Sequence, residues 1–390
     1  MTKVILKKGN HPRIFTGHPW VYANEIGSVS ASIAPGEIIE VHDSRNRFIG
    51  RGYYNAKSQI TVRLLTRLED EQIDESFFRK RLMECFEYRK KLGFNGNYRL
   101  VFGESDFLPG LIIDKFGNNF VIQALSLGMD CRKTMIVSAL MSLFSPDGIY
   151  ERDDVPVRKL EGLEEKKGFL TASFATKLEL EELGVKFMID VENGQKTGFF
   201  LDQKENRMAL QHIANDAEVL DCFCYTGSFS LFAAHFGAKR VHGLDVSESA
   251  VAQATENAAL NGFENRCRFE TANAFDLLPQ WAKEKKQFDV VILDPPAFTK
   301  NRAGIESAAR GYKEINLRAM KLIRPGGFLL TFSCSHFMDP GLFFDMISQA
   351  ATDAGKIIRQ VAFLTQSKDH PIVWNIQETS YLKGFVLQVI

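Results

Sequence analysis

Two apolar runs in this chain of 390 residues stop abruptly at groups capable of chemistry. Phe288-Asp-Val-Val-Ile-Leu-Asp294-Pro295-Pro296-Ala-Phe298 ends on a carboxylate, and Leu329-Leu-Thr-Phe-Ser-Cys334-Ser-His336 ends on a thiol. Runs of this kind, bounded by Gly or Pro, read as strands buried on both faces of a parallel sheet. Such sheets bind ligands outside the carboxyl ends of their strands. The first strand therefore delivers Asp294 to a site, and the second delivers Cys334. A free thiol ionises at about pH 8.5 and needs help to act as a nucleophile. His336 could polarise it, or could lie on the surface. A lone cysteine is more often a small buried hydrophobe; the strand-end position between two serines sets this one apart.

Presenting those two groups requires a sheet, and from about residue 185 the pattern is regular βαβα. Strands are expected at 218–223, 240–245, 267–271, 288–294 and 328–334. Helices are expected at 228–236, from Ser247 to about Asn261, and over 307–323 as the crossover a parallel pair needs. The tail Gly384-Phe-Val-Leu-Gln-Val-Ile390 reads as a further strand. This alternation predicts an α/β domain built on a doubly wound, Rossmann-like sheet. Its first strand runs into Asp221-Cys-Phe223-Cys-Tyr225-Thr226-Gly227-Ser228-Phe229. One glycine is too few for the pyrophosphate of a dinucleotide. A glycine with small hydroxyl neighbours ahead of a helix can still receive an amino-acid carboxylate. Asp245 ends the second strand, where a carboxylate accepts from ribose hydroxyls. Asn273 follows the third, where an amide could read an adenine edge.

The N-terminal segment reads differently. Short strands punctuated by Gly and Pro over residues 1–72 predict a small β-barrel. Arg13, His18, Arg45, Arg47, Arg51 and Arg63 are interleaved with Trp20, Tyr22, Tyr53 and Tyr54. Rings stack on bases and guanidinium groups pair with phosphates, so the pattern suits RNA. A barrel with core aromatics and solvated arginines is an equal reading of this segment alone. An acidic run at 69–75 leads into a helix ending in bases, with Gly93 as its cap. Residues 73–184 then alternate strand and helix: strands at 99–102 and 111–114, a hairpin through 116–124, a helix over 129–144, and strand candidates at 148–152 and 169–170. Glu151-Arg152-Asp153-Asp154 reads as a solvated loop. The expected domains are a barrel over 1–72, an α+β domain over 73–184, and the Rossmann-like domain over 185–390.

Composition narrows the partners. The net charge is zero and the pI about 7.1, which excludes a broadly basic nucleic-acid coat but leaves room for a local basic patch. The six cysteines follow no zinc or disulfide spacing, and Cys222 and Cys224, two apart, could share a face. No apolar run has the form of a signal peptide or a membrane span. The expectation is a cytoplasmic protein with no membrane partner and no metal.

The order of these motifs resembles class I S-adenosylmethionine-dependent methyltransferases: the Asp221–Phe229 loop, Asp245, Asn273-Ala274-Phe275-Asp276 and Asp294-Pro-Pro. Gln195-Lys-Thr197-Gly-Phe-Phe200-Leu-Asp202-Gln203, ending at Arg207, resembles the segment before the cofactor strand in the 23S ribosomal RNA cytosine-C5 methyltransferase family. That family carries an N-terminal PUA domain opened by a motif like Gly17-His-Pro-Trp20-Val-Tyr22, then a small α+β module, so the resemblance spans nearly the whole chain. It implies S-adenosylmethionine as cofactor, held by Thr197, Phe200, Asp202, Arg207, Phe223, Tyr225, Thr226, Gly227, Ser228, Asp245, Val246, Asn273, Ala274, Phe275 and Asp294. It implies ribosomal RNA as partner, met by Pro295, Pro296, Phe298, Arg13, Trp20 and Arg51, and a homodimer. Asn273 departs from the family, where an acid is common.

The implied chemistry assigns the two strand ends. C5 of cytosine is a poor nucleophile; attack of a thiolate at C6 turns the ring into an enamine and activates C5. Cys334 is the expected nucleophile. Asp294 is expected to hydrogen-bond or protonate N3. Two other functions fit the same motifs: methylation of a guanine nitrogen, for which Cys334 has no use, and a non-catalytic RNA-binding assembly factor, for which Gly227, Asp245, Asp294 and Cys334 have none.

Overall fold

A computed structural model describes residues 1–299 and 302–390. Contacts gather the chain into two compact units. One comprises Met1–Leu178, Ile189–Leu201 and Lys368–Thr379; the other comprises Glu179–Met188, Asp202–Ser367 and Ser380–Ile390.

The first unit begins with β1 (Lys3–Leu6), a short helix α1 (Pro12–Phe15), β2 (Trp20–Val21), β3 (Ile26–Val29), β4 (Ile38–His42), β5 (Phe48–Tyr54) and β6 (Val62–Thr66). Among the described residues these strands form one sheet in the order β2-β6-β5-β4-β1-β3. β1 runs parallel to β4, and the other pairs are antiparallel. Period-two alternation turns Val4, Leu6, Ile39, Val41, Val62 and Leu64 into one core. Gly52 lets β5 and β6 approach: a Cβ there would lie 2.0 Å from the Arg63 carbonyl oxygen. The parallel β1–β4 pairing joins residues more than thirty apart, which no local pattern announces.

Asp74 then starts α2 (Glu75–Lys91) by accepting from the Phe77 N–H at 3.0 Å. β7 (Tyr98–Phe102), β8 (Leu111–Phe116), β9 (Asn119–Ala124), α3 (Leu127–Asp130), α4 (Lys133–Phe144), β10 (Gly148–Arg152) and β11 (Lys167–Phe169) follow. The strands make a sheet in the order β11-β10-β9-β8-β7, covered by an apolar cluster that includes Phe78, Leu82, Leu100, Ile113, Ile122 and Leu140. The charged run at 151–154 is not a solvated loop. Glu151 and Arg152 lie in β10, and Asp153 is fully buried. The charges go inside because each has a partner. Lys133 reaches Asp130, Glu151 and Asp153, and Arg158 reaches Asp130 and Asp153.

A hairpin of β12 (Lys177–Glu182) and β13 (Val185–Asp190) passes from one unit into the other. The second unit then holds α5 (Lys204–Arg207), β14 (Glu218–Cys222), α6 (Ser228–His235), β15 (Arg240–Asp245), α7 (Glu248–Leu260), β16 (Cys267–Thr271), α8 (Ala274–Lys283), β17 (Phe288–Leu293), α9 (Ile305–Leu322), β18 (Ile323–Ser333), α10 (Pro340–Ala354), β19 (Ile358–Thr365) and β20 (Lys383–Val389). Among the described residues the sheet order is β16-β15-β14-β17-β18-β20-β19. β14 to β18 are parallel, and β20 runs antiparallel to both β18 and β19. The strand order reverses beside β14, because the chain fills one side with β15 and β16 and then crosses to β17. Leu220, Leu244, Val291, Leu293 and Leu329 pack with Ile315, Met320, Phe343 and Ile347 from the covering helices. Alternation sends Asp221 to the opposite face, where Ser230 of α6 meets it. The doubly wound α/β fold expected from the sequence is present, with an antiparallel edge added.

Candidate active site

The strand order reverses beside β14, and open parallel sheets bind ligands at such a point, outside the carboxyl ends of their strands, here β14, β15, β17 and β18. The loop leaving β14 is held in an unusual shape. Phe223, Tyr225 and Gly227 all adopt left-handed backbone, with φ of 65°, 49° and 84°. For two non-glycine residues this costs about 1–3 kcal/mol each, and such strain persists where the surroundings impose it. Here the Cys224 N–H donates to the Leu244 carbonyl at 2.9 Å, and the Tyr225 N–H donates to Asp245 Oδ2 at 2.9 Å. A side chain at Gly227 would be strained: an added Cβ would meet Phe269 at 3.0 Å and Ala254 at 3.1 Å on a backbone at φ 84°. Ser228 starts α6 directly afterwards.

Three carboxylates converge at these strand ends. Asp221, 1% exposed, accepts from the Ser230 N–H at 3.0 Å and its hydroxyl at 2.7 Å through Oδ2. Burial, with Asp294 and Asp245 nearby, pushes its pKa up to about 7. Its Oδ1 is buried and has no hydrogen-bond partner among the described residues. Asp245 also accepts from the Ser247 N–H at 2.9 Å through Oδ1. Val246 beside it is an apolar residue 67% exposed. The Asp294 N–H reaches the Cys222 carbonyl at 3.5 Å, tying the end of β17 to β14.

Cys334 follows the last residue of β18 and is half-buried. Its Sγ lies 3.9 Å from the Pro295 carbonyl oxygen, so the thiol and the Asp294-Pro295-Pro296 turn adjoin. The Phe298 ring, beyond that turn, lies tilted 4.4 Å from that of Tyr312 and 5.8 Å from that of Phe275. Pro295 is buried and Pro296 exposed. His336 is exposed and touches Phe337 edge-on, and no hydrogen bond links it to the thiol. Cys222 and Cys224 are free, buried thiols whose ionisation burial opposes. Cys222 and Ala274 belong to the apolar core beneath the strand ends.

Several expected site residues carry other tasks. Asn273 caps α8: Oδ1 accepts from the Phe275 N–H at 3.0 Å and Nδ2 donates to Asp276 at 2.9 Å. Arg207 is fully buried and donates to Glu182 at 2.5 Å, over the Phe232 ring; its guanidinium is a structural cation. Asp202 accepts from the Tyr381 hydroxyl at 2.5 Å. Thr197 and Phe200 belong to the first unit, where the Thr197 hydroxyl donates to Asp114 at 2.5 Å and Lys196 covers the Phe200 ring. Thr226 uses its carbonyl to hold Asn257 at 3.1 Å.

The barrel's expected RNA face is reduced in the same way. Arg51 is buried, pairing with Glu40 at 3.0 Å and donating to the Glu69 and Glu71 carbonyls. Arg63 pairs with Glu161 at 2.8 Å, and Tyr53 donates to the Pro109 carbonyl at 2.6 Å. These side chains hold the first unit together, which removes Arg51 from the RNA-contacting set. Arg13 is partly exposed but spends its donors on Glu25, His18 and the Trp20 carbonyl. The Trp20 indole N–H donates to Glu104 at 2.8 Å, leaving a half-exposed ring.

A cleft of about 320 Å³ opens at the other ends of the strands, among Glu218, Arg240, His242, Arg266 and Phe288. It holds none of the groups above, and parallel sheets bind at their carboxyl ends, so volume is a poor guide here. A ring of carboxylates with an orphaned buried oxygen at Asp221 fits a ligand that brings positive charge. S-adenosylmethionine brings a sulfonium and an ammonium. Asp245 and Val246 fit a ribose and an apolar ring beside it.

Comparison with known proteins agrees with this geometry. Residues 4–67 match the model of a PUA-like domain. Residues 167–386 match that of the S-adenosylmethionine-dependent methyltransferases. A protein of Alteromonas mediterranea named ribosomal RNA large subunit methyltransferase I is 42% identical over 99% of this chain and 98% of its own length. A Klebsiella pneumoniae protein of the same name is 39% identical over 100% and 98%. Among solved structures, a methyltransferase-class protein in complex with SAH superposes with a TM-score of 0.86 over the full length of both chains at 19% identity. A Streptococcus mutans protein does so with a TM-score of 0.84 at 18% identity. At those identities the structures speak for the fold alone.

Proposed function

The chain belongs to the S-adenosylmethionine-dependent methyltransferase family, and from that premise we propose that it methylates C5 of a cytosine in large-subunit ribosomal RNA. The observation that carries the reading is the placement of the Cys334 sulfur 3.9 Å from the Pro295 carbonyl, directly after Asp294. The names of its relatives support the RNA as substrate.

Bound S-adenosylmethionine supplies an electrophilic methyl group as its sulfonium. The chain's own groups do the rest. Cys334, as thiolate, adds to C6 of the ring and makes C5 nucleophilic. Asp294 hydrogen-bonds N3 and withdraws electrons from C6. Once the C5 proton is lost, elimination re-forms the free Cys334. The left-handed loop at 223–227 and Asp245 hold the cofactor's polar ends, and the exposed Pro296 with Phe298 borders the base. The Pro-Pro turn lacks donors and stays rigid.

The barrel over 1–72 serves as an RNA-binding module, the 73–184 segment supports it, and the enzyme works in the cytoplasm. Bisulfite sequencing of ribosomal RNA from cells with and without this protein tests the reading. One large-subunit cytosine should lose its protection when the protein is absent. Unchanged protection at every cytosine, with loss of a methylguanine instead, would transfer the activity to an exocyclic or ring nitrogen.

A further inference from the structure

Lys383 opens β20 directly opposite Ser333, the residue before Cys334. Its side chain is 4% exposed, and its ammonium donates to the carbonyls of Ser335 and Met338 at 2.6 and 2.5 Å. It forms no ion pair with a carboxylate among the described residues. A buried ammonium without a counter-charge is costly, and burial lowers its pKa from 10.5 to about 8. Two ionisable groups face it and work the other way: the Cys334 sulfur and the Asp339 carboxylate. Asp339 is exposed and caps α10, accepting from the Leu342 N–H at 2.9 Å. On the other side of the loop, the buried Tyr312 hydroxyl lies 3.0 Å from Ser335 Oγ. The loop is thus clasped from two elements at the residue after the thiol.

We propose that Lys383 is a positioning residue for Cys334: it fixes the 334–338 loop so that the sulfur faces the Asp294 turn, and its charge favours the thiolate. This rests on Cys334 being the nucleophile. The thiol proton goes to solvent and Lys383 keeps its own below about pH 8, so in that range the pair is a cation beside a titrating sulfur. A pairing of this kind does for Cys334 what a neighbouring imidazole does elsewhere, and the exposed His336 is not placed to do it.

The test is the rate at which iodoacetamide modifies Cys334 in the purified full-length chain, read by peptide mass spectrometry from roughly pH 6 to 10. The unmodified protein should show a midpoint below the ordinary thiol value of about 8.5. Lys383→Met should raise it by about one unit, a tenfold loss of reactivity at pH 7. Lys383→Arg, which keeps the charge, should remain near the parent. Superimposed profiles for parent and Lys383→Met overturn the proposal, as does a parent midpoint at or above 8.5. If Lys383→Met loses its native circular dichroism, Lys383→Gln and the parent profile decide. The nucleophile reading is checked separately by Cys334→Ala turnover. An active alanine variant alongside a Lys383-dependent profile would leave the pairing standing and remove the catalytic role.

Discussion

Asp221 illustrates how burial sets a residue's chemistry. Its carboxyl loses water, faces two like charges, and holds its proton up to about pH 7 instead of 3.8. In the unfolded chain it ionises at the lower value, so folding takes up a proton between the two. The resulting penalty is absent below about pH 4, grows as pH rises, and is complete above 7. Asp221→Asn keeps the acceptor for Ser230 and removes the ionisable oxygen. Urea midpoints should therefore show the variant more stable than the parent at pH 8, with the gap closing as pH falls from 7 toward 4. A variant less stable at pH 8 would mean the fold prefers the carboxylate. Above about pH 7, where Asp221 is ionised, the same variant should bind S-adenosylmethionine more weakly, because one anion is gone. Cys334→Ala should abolish turnover with cofactor affinity unchanged, as measured by calorimetry. Asp294→Asn should lower turnover by about 10²–10⁴-fold, the range for losing one acid–base group; an effect under tenfold would assign Asp294 to shape alone. Asp294 and Cys334 were legible because each ends an apolar run. Lys383 was not, since its role depends on a strand pairing, Ser333 with Lys383, across fifty positions of sequence. The expectation of Arg51 at RNA missed its partner for the same reason: Glu40, which holds it, is invisible to local pattern.

Elements position these groups through backbone shape more than through length. The loop leaving β14 alternates left-handed residues at 223, 225 and 227, and sequence announces only the glycine. Gly227→Ala must be strained at φ 84° and press on Phe269 and Ala254. It should cost about 1–3 kcal/mol and weaken S-adenosylmethionine binding in titration calorimetry; an unchanged dissociation constant would separate this loop from the cofactor. In the barrel, Gly52→Ala should disrupt the β5–β6 pairing, since its Cβ would occupy the space of the Arg63 carbonyl. RNA affinity in filter binding should fall while cofactor affinity holds. β17 and the second half of β18 were readable because central parallel strands carry continuous hydrophobic runs. β19, with Arg359, Gln360 and Val361 exposed at a sheet edge, lacks such a run and escaped notice. The charged strand end at 151–153 was mistaken for a loop because its partners, Lys133 and Arg158, come from elsewhere in the fold.

At the scale of the molecule, the first unit is closed by residues distant in sequence. Glu161 receives Arg63, Ser58 and Asn55, binding barrel to α+β module within that unit. Arg63→Ala leaves a buried, underpaired carboxylate and should cost about 3–5 kcal/mol in urea unfolding. A loss below 1 kcal/mol would mean Glu161 finds water. The segment Lys368–Thr379 also completes this unit: Asp369 accepts from the Arg99 N–H at 2.9 Å, and its carbonyl accepts from Arg89 at 2.7 Å. Glu378 meets His18 at 3.0 Å, and Asn375 reaches the Thr16 carbonyl at 3.0 Å. This has a consequence on the ribosome. A nascent chain that has emerged to residue 178 still lacks the pieces that seal its own first half. At about 5–20 residues per second, the wait for position 379 is roughly 10–40 s, during which Arg89 and His18 stand without those partners. Protease resistance of residues 1–178 should therefore appear in arrested chains only after residue 379 has emerged. Resistance in chains arrested before residue 368 emerges would show that the early half matures alone.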